Sequence, residues 1–428
     1  RGQTILHCAT KNDHIDVVLY LLECCHRFDI NAKDKSQQSA LHYSVINNNV
    51  EIVQNLVKHG INVNIKDKGN RTAIHWAAAE GYSEILEILL KICVDIDERE
   101  EEGKTALHLS SENNHKEAVE KLLAHNCDKF STDSKGRTAL HVASALGHID
   151  VVHVLINNKS AINAKDKKGN TPLHLASLGN HLQVVRTLTE KGAFVNATNS
   201  RQQTALHLSA ELGFTEIAET LIECGADLSL PERSGRTALY IAARGSFTAI
   251  VDMLIKAERE KNQKLRLSGK CSRNSSVERN TSIESNETQG TYSCDHSNGE
   301  FSNENFMRKI REILWSLSRN HLSIQDWKRM ARHWGFTEEH IKAIEHQYTG
   351  KTSYKEHSFR MMLIWLHGVP PCVNPLKELL DTLIAIDRKE VAEKVRRKVE
   401  EGNFFQSRSR RCNCFPSTAE MCAYCCVS

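Results

Sequence analysis

Seven histidines stand at equivalent places in the first half of this 428-residue chain: His7, His42, His75, His108, His141, His174 and His207. Imidazoles in register are what a metal centre or a general base would use. A metal site also needs further ligands at short, fixed offsets, and no second ligand recurs at a usable spacing. No nucleophile–base pair, no phosphate-cradling glycine loop and no HRD or DFG string accompanies them. No catalytic residue, cofactor or metal ligand is therefore assigned, and the chain reads as non-enzymatic.

The second concentration of reactive groups is the tail after Gly402, FFQSRSRRCNCFPSTAEMCAYCCVS. Its last four residues, Cys425-Cys426-Val427-Ser428, loosely satisfy the C-a-a-X prenylation pattern, with Arg408, Arg410 and Arg411 upstream. Cys412, Cys414 and Cys422 would take acyl chains, the second signal that stable anchoring requires. Zinc held by Cys412, Cys414, Cys422 and Cys425 is a rival reading, and an unstructured tail is a third. The 14 cysteines form no regular framework, which favours a reducing compartment.

The histidines belong to a repeated tetrad: TILH at Thr4, SALH at Ser39, TAIH at Thr72, TALH at Thr105 and Thr138, TPLH at Thr171, TALH at Thr204 and TALY at Thr237. The first step is 35 residues and the next six are 33 each, a self-similarity that defines a repeat architecture. In each unit Thr or Ser starts a short helix with its hydroxyl as cap. Nine residues on, Asp13, Asn48, Gly81, Asn114, Gly147, Asn180, Gly213 and Ser246 supply a turn, most of them residues that tolerate a left-handed backbone. A second helix follows, with Ile85, Ile88, Leu89 and Leu90 as one example of its apolar spacing. No helix pair buries its apolar face alone, so the units must stack into a solenoid.

The period and the TPLHLA signature resemble the ankyrin repeat over Arg1 to about Ala257, in eight units of which the first is expected to be truncated. The resemblance implies a structural histidine that bonds neighbouring backbone. It also implies protein binding on the concave face and the hairpin tips. Leu146, Leu178 and Leu212 stand where polar residues are usual, an apolar patch for a partner or simply scattered exposed leucines. The tips are basic, with Arg137, Lys168 and Arg236 as candidate contacts, interrupted by acidic Glu98 and Glu100–Glu102. Asn31, Asn64, Asn163 and Asn196 resemble the ankyrin asparagine that a cytosolic oxygenase hydroxylates, the alternative being a residue that only stabilises its turn.

Residues 258–304 turn to Ser, Asn, Glu and Thr, a composition expected to be a disordered linker. Ser276 and Ser282 each lie three residues after an arginine, a basophilic kinase pattern. Helical periodicity returns over 305–400, read as six helices at about 305–318, 322–334, 337–347, 352–366, 374–386 and 388–400. The core is expected to include Ile313, Leu317, Trp327, Met330, Ala331, Ile341, Ile344, Leu363, Trp365, Leu376, Leu380, Leu383 and Val391. The strings DWKRMARHWGF, HIKAIE and IDRKEVAEKV resemble a death domain through Trp327, Ala331, Arg332, Gly335, Ile341, Ile344, Glu345, Trp365, Arg388, Ala392 and Glu393. Asp387 stands where glycine is common and Trp334 where leucine is usual. The family implies association with other death-fold proteins. Eighteen Lys and Arg against 12 Asp and Glu make this segment basic, and Lys394, Arg396, Arg397 and Lys398 concentrate the charge on its last helix as a steering surface.

The expected fold is all-α: an ankyrin solenoid, a linker, a six-helix death-fold bundle and a Cys-rich disordered tail over 401–428. The whole resembles the ankyrin repeat and death domain-containing protein family. That implies a cytoplasmic signalling adaptor with protein partners at both folded parts, and a membrane only if the tail is lipidated. A formal charge of +3 gives no global field for nucleic acid. An ankyrin-type membrane–cytoskeleton linker is the alternative, although no spectrin-binding segment precedes the death domain.

Overall fold

The computed structural model describes residues 2–24, 28–92, 95–273, 304–347, 353–369 and 373–401. Among the described residues it contains 22 helices and no strand. The helices of the first four repeats are α1 (Ile5–Lys11), α2 (Ile15–Cys24), α3 (Ala40–Ile46), α4 (Val50–Lys58), α5 (Ala73–Glu80), α6 (Ser83–Leu90), α7 (Ala106–Glu112) and α8 (Lys116–Ala124). The next four repeats supply α9 (Ala139–Leu146), α10 (Ile149–Asn157), α11 (Pro172–Leu178), α12 (Leu182–Glu190), α13 (Ala205–Leu212), α14 (Thr215–Glu223), α15 (Ala238–Arg244) and α16 (Thr248–Arg273). The C-terminal helices are α17 (Glu304–Asn320), α18 (Ile324–His333), α19 (Glu338–Glu345), α20 (Ser353–His367), α21 (Pro375–Ala385) and α22 (Lys389–Glu401). The chain divides into two compact units, α1–α16 with α19, and α17, α18 with α20–α22.

In the array the odd-numbered inner helices stack on one another, and so do the even-numbered outer ones. Each inner helix also packs on its own outer partner, so every repeat is sealed only by its neighbours. Leu41, Ile74, Leu107 and Leu140 on inner helices and Ile52, Leu56, Ile85, Leu89 and Leu122 on outer ones are fully buried. The turns fall where the sequence places them. Asp13, Asn48, Asn114, Asn180 and Ser246 have φ between 55° and 61°, and Gly147 has φ 80°. At Gly147 a side chain is excluded twice, because a Cβ would also come within 2.4 Å of the His181 ring.

The last array helix departs from expectation. It runs to Arg273, beyond 258 where the linker was expected to begin. The residues from Glu258 to Arg273 are mostly Glu, Lys, Arg, Gln and Leu, good helix formers that extend α16 without a proline to stop it. Ser276 and Ser282 lie outside the described residues, as does the tail with Cys425.

In the C-terminal helices the expected core is buried at Ile313, Leu317, Trp327, Met330, Ala331, Trp365, Leu376, Leu383 and Val391, and Ile341 and Ile344 of α19 are also buried. Two expectations are corrected by one position. Leu363 and Leu380 are only half-buried, while Ile364 and Leu379 point inward. A one-residue step rotates a helix by about 100°, so a broad apolar stripe leaves the innermost residue undecided. Trp334 has a role that leucine could not fill. Its ring stacks on Trp365 at 4.1 Å, and its indole N–H donates to Thr382 Oγ1 at 2.8 Å. Asp387 takes φ 65° and makes the turn before α22 without glycine. Asn374 caps α21 through Oδ1, with Pro375 in the first turn.

Candidate protein-binding site

The recurrent histidines hold the array together. In all seven, Nδ1 accepts the backbone N–H of the Thr or Ser three residues earlier at 3.1–3.3 Å, and the hydroxyl of that residue lies 2.8–3.0 Å from the same nitrogen. The threonine or serine hydroxyl thus engages the imidazole as well as the backbone cap expected of it, and the pair forms a capping box in all seven repeats. An Nδ1 that accepts an N–H carries no proton, so Nε2 must carry it. Nε2–H accordingly donates to a carbonyl beyond its own helix pair at 2.9–3.1 Å: Gln38 from His7, Arg71 from His42, Glu98 from His75, Arg137 from His108, Asn170 from His141 and Gln203 from His174. His207 Nε2 has no partner at bonding distance. Burial holds His42, His75, His108, His141 and His174 below the ordinary imidazole value, against the carbonyl bonds that pull the other way, and it holds His207 below that value too. Among the described residues, no group of three His, Cys, Asp or Glu side chains is placed to hold a metal ion.

A second histidine column escaped the sequence reading. His115, His148 and His181 are 33 residues apart, and each Nε2 bonds a carbonyl of the preceding inner helix: Ala79, Glu112 and Ala145 at 2.9–3.0 Å. The spacing was legible, but these histidines follow the turn rather than the tetrad.

The asparagine column is a set of inter-repeat staples. Asn31 Oδ1 accepts from Asn62 N–H at 2.7 Å, and Asn64 Oδ1 from Asp95 at 3.4 Å. Asn163 and Asn196 accept from Phe194 and Asp227, each at 2.8 Å. Asp97 does the same for Asp128 at 2.8 Å. Each bond reaches 31 residues ahead, so the side chain joins neighbouring repeats as well as shaping its turn. Phe130 occupies the equivalent place in the fourth repeat, cannot accept, and lies 54% exposed.

At most hairpin tips a carboxylate closes the turn, and at one the Asn199 amide oxygen does so. Asp67 Oδ1 accepts from Gly69 and Arg71, Asp133 Oδ1 from Lys135 and Arg137, and Asp166 Oδ1 from Lys168 and Asn170, all at 2.7–2.9 Å. Burial alone would raise the Asp133 carboxyl, but the Arg137 backbone and guanidinium hold it below the usual range. Adjacent tips are joined by single backbone bonds, such as Lys167 N–H to Lys135 O and Ser200 N–H to Lys168 O, both at 3.0 Å.

These bonds sort the candidate contacts. Arg137 is held by Asp133 at 2.8 Å and Arg236 by Glu232, so both are partly neutralised in place. The acidic run is tied down too, with Glu100 on Arg71 at 2.7 Å and Glu102 on Lys104 at 3.0 Å. Lys168 is exposed. Leu146, Leu178 and Leu212 are 47%, 50% and 42% exposed at the C-terminal ends of α9, α11 and α13, three inner helices that stack consecutively. An apolar ladder on adjacent rungs is therefore open to solvent.

In the C-terminal helices Arg388 grips Asp326 with two bonds, Nε–Oδ1 at 3.0 Å and Nη2–Oδ2 at 2.8 Å, tying the start of α22 to the start of α18. Burial would raise the Asp326 carboxyl, but the bonds from Arg388 and Ser323 leave it lowered. Lys394, Arg396, Arg397 and Lys398 are all exposed. One surface feature was not foreseen. Trp315 is 41% exposed, with the Arg319 guanidinium 4.0 Å above its ring and Phe359 edge-on at 4.8 Å. Arg319 also pairs with Glu356 at 2.8 Å, so α17 and α20 share this aromatic and charged patch.

Comparison with known families agrees with this geometry. The model for ankyrin repeats (three copies) matches residues 1–67, 64–133, 121–199 and 195–264, and that for the Death domain matches residues 311–399. Both are non-catalytic modules for protein–protein interaction. The ankyrin matches cover more than half of the sequence, so the chain belongs to the ankyrin-repeat family and carries a Death domain after the array.

Proposed function

We propose that this chain is a non-enzymatic signal-transduction adaptor whose array selects one protein partner while its Death domain associates with another death-fold protein. The observation that carries the reading is the pairing of two interaction modules in one chain, the first presenting an exposed leucine ladder at Leu146, Leu178 and Leu212. The apolar strip suits a partner segment with an apolar face, and the exposed Lys168 at a hairpin tip suits an acidic one. The exposed Arg396 and Arg397 of α22 and the Trp315 patch are the surfaces offered to a death-fold partner. On this reading the adaptor works in the cytoplasm, with lipidation at Cys425 as its route to a membrane. Unchanged membrane partitioning of Cys425→Ser would remove prenylation there as the determinant.

The test is affinity capture with the full chain, with a Leu146→Glu/Leu178→Glu/Leu212→Glu variant and with an Arg396→Glu/Arg397→Glu variant. The leucine variant should lose the array partner and keep the death-fold protein, and the arginine variant should do the reverse. Recovery of cytoskeletal proteins with no death-fold protein would sink the adaptor reading and favour the linker alternative.

A further inference from the structure

A cavity of about 270 Å³ opens between α17 and α22. Ile313, Leu317 and Val395 form its floor, each buried. Its rim is ionic: Lys309 and Glu312 from α17, Lys394 and Lys398 from α22, and His321 just beyond α17. Two ammonium groups of α22, Lys394 and Lys398, thus stand at one cavity, with Lys309, which has a partner of its own, beside them. Lys394 and Lys398 are one helical turn apart, which puts them on the same face of α22. Lys398 Nζ donates to Ser316 Oγ at 3.0 Å, which holds its charge at the mouth. Arg396 and Arg397 do not line the cavity, and Arg396 sits 3.7 Å from Glu393 instead. The four cations of α22 therefore divide into two facing a cavity and two facing elsewhere.

Gathering like charges costs free energy unless something of opposite sign joins them. His321 registers that cost: burial, then Lys394 and Lys398, hold its imidazole below the ordinary value, so the ring is neutral beside the lysines. A dianion arriving here would meet two ammonium groups and would draw a proton onto His321. A phosphomonoester carries close to two charges at neutral pH and three acceptor oxygens. A single carboxylate would leave one of the two ammonium groups unmatched. The floor adds a requirement for an apolar body next to the phosphate, and the volume lies just below the usual range for small-molecule sites.

We propose that the α17–α22 cavity binds a small organic phosphomonoester, its phosphate between Lys394 and Lys398 and its apolar portion on Ile313, Leu317 and Val395. The site is independent of the adaptor reading, because neither Arg396, Arg397 nor the leucine ladder takes part.

Phenyl phosphate is the probe, titrated calorimetrically into the full chain, with inorganic phosphate and benzyl alcohol in parallel. Phenyl phosphate should bind, inorganic phosphate about tenfold more weakly for want of the apolar contact, and benzyl alcohol not measurably. Lys394→Gln/Lys398→Gln should weaken phenyl phosphate at least about tenfold, as loss of charge-assisted bonds implies, while Lys377→Gln on α21 should not change it. Lys394→Arg/Lys398→Arg should restore most of the affinity, and unchanged circular dichroism keeps the comparison free of folding effects. The His321 ring resonance should shift towards the protonated position on binding. Vesicles of phosphatidylcholine with phosphatidic acid distinguish the source. Retention lost in the glutamine variant assigns a lipid headgroup, and binding of phenyl phosphate without retention assigns a soluble phosphate. No binding of phenyl phosphate, or equal binding by wild type and the glutamine variant, would overturn the proposal.

Discussion

Acid should dissolve the array well above the pH at which its carboxylates titrate. Six histidines, His42, His75, His108, His141, His174 and His207, are at most 1% exposed, and burial holds each below its ordinary value of 6.5. The local geometry supports the direction, because a proton on Nδ1 would face the Thr N–H that this nitrogen now accepts. The fold therefore holds these rings neutral while the unfolded chain takes up protons as the pH falls through about 6.5. Their contribution to stability is intact above that pH and is lost below it. Between about pH 7.5 and about pH 5.5 the linkage amounts to about 1.4 kcal/mol for each ring that stays neutral in the fold. Six such rings give a ceiling of about 8 kcal/mol, comparable with the whole stability of an ordinary domain. The lowered carboxylates, Asp34, Glu98 and Asp133 among them, act in the same sense but only as the pH falls through about 4, so the two windows separate. Urea unfolding of the full chain, followed by far-ultraviolet circular dichroism at three pH values across the window, gives the proton uptake directly. His141→Gln retains a capping side chain that does not titrate. It should be less stable at neutral pH and should reduce the pH dependence by about one proton. A total loss below about 2 kcal/mol across the window, or a pH dependence that His141→Gln leaves unchanged, would refute the reasoning.

Other outcomes follow from single contacts. Phe130→Asn should supply the missing inter-repeat staple and raise array stability by about 1 kcal/mol, and Asn163→Ala should lower it by a similar amount, both read by thermal unfolding. Arg388→Ala leaves Asp326 buried without its bidentate partner and should cost the C-terminal bundle about 2 kcal/mol, measured by urea unfolding at neutral pH. That loss should shrink in acid as Asp326 is protonated, because a lowered carboxyl contributes only above its unfolded value. Trp334→Leu should remove the stack on Trp365 and the indole N–H donated to Thr382 Oγ1, lowering the bundle's unfolding midpoint.

The sequence alone determined what depends on neighbours along the chain. The tetrad period placed every inner helix of the array. The residue nine positions on placed every turn, because left-handed backbone is a property of one residue and its flanks. The same locality made Asn374–Pro375 readable as a helix start. What the tertiary structure decided is what each side chain meets about 30 residues away, or on another helix. It made the asparagine column a row of staples and showed the break at Phe130. It gave His115, His148 and His181 their carbonyls. It tied Arg71 to Glu100 across repeats while leaving Lys168 exposed. It also split the basic run of α22, turning Lys394 and Lys398 to the cavity and leaving Arg396 and Arg397 outside. Charge and polarity are carried by residue type, but the partner that neutralises or exposes a charge is set by which helix faces it, and helical periodicity leaves that rotation open by about 100° per residue.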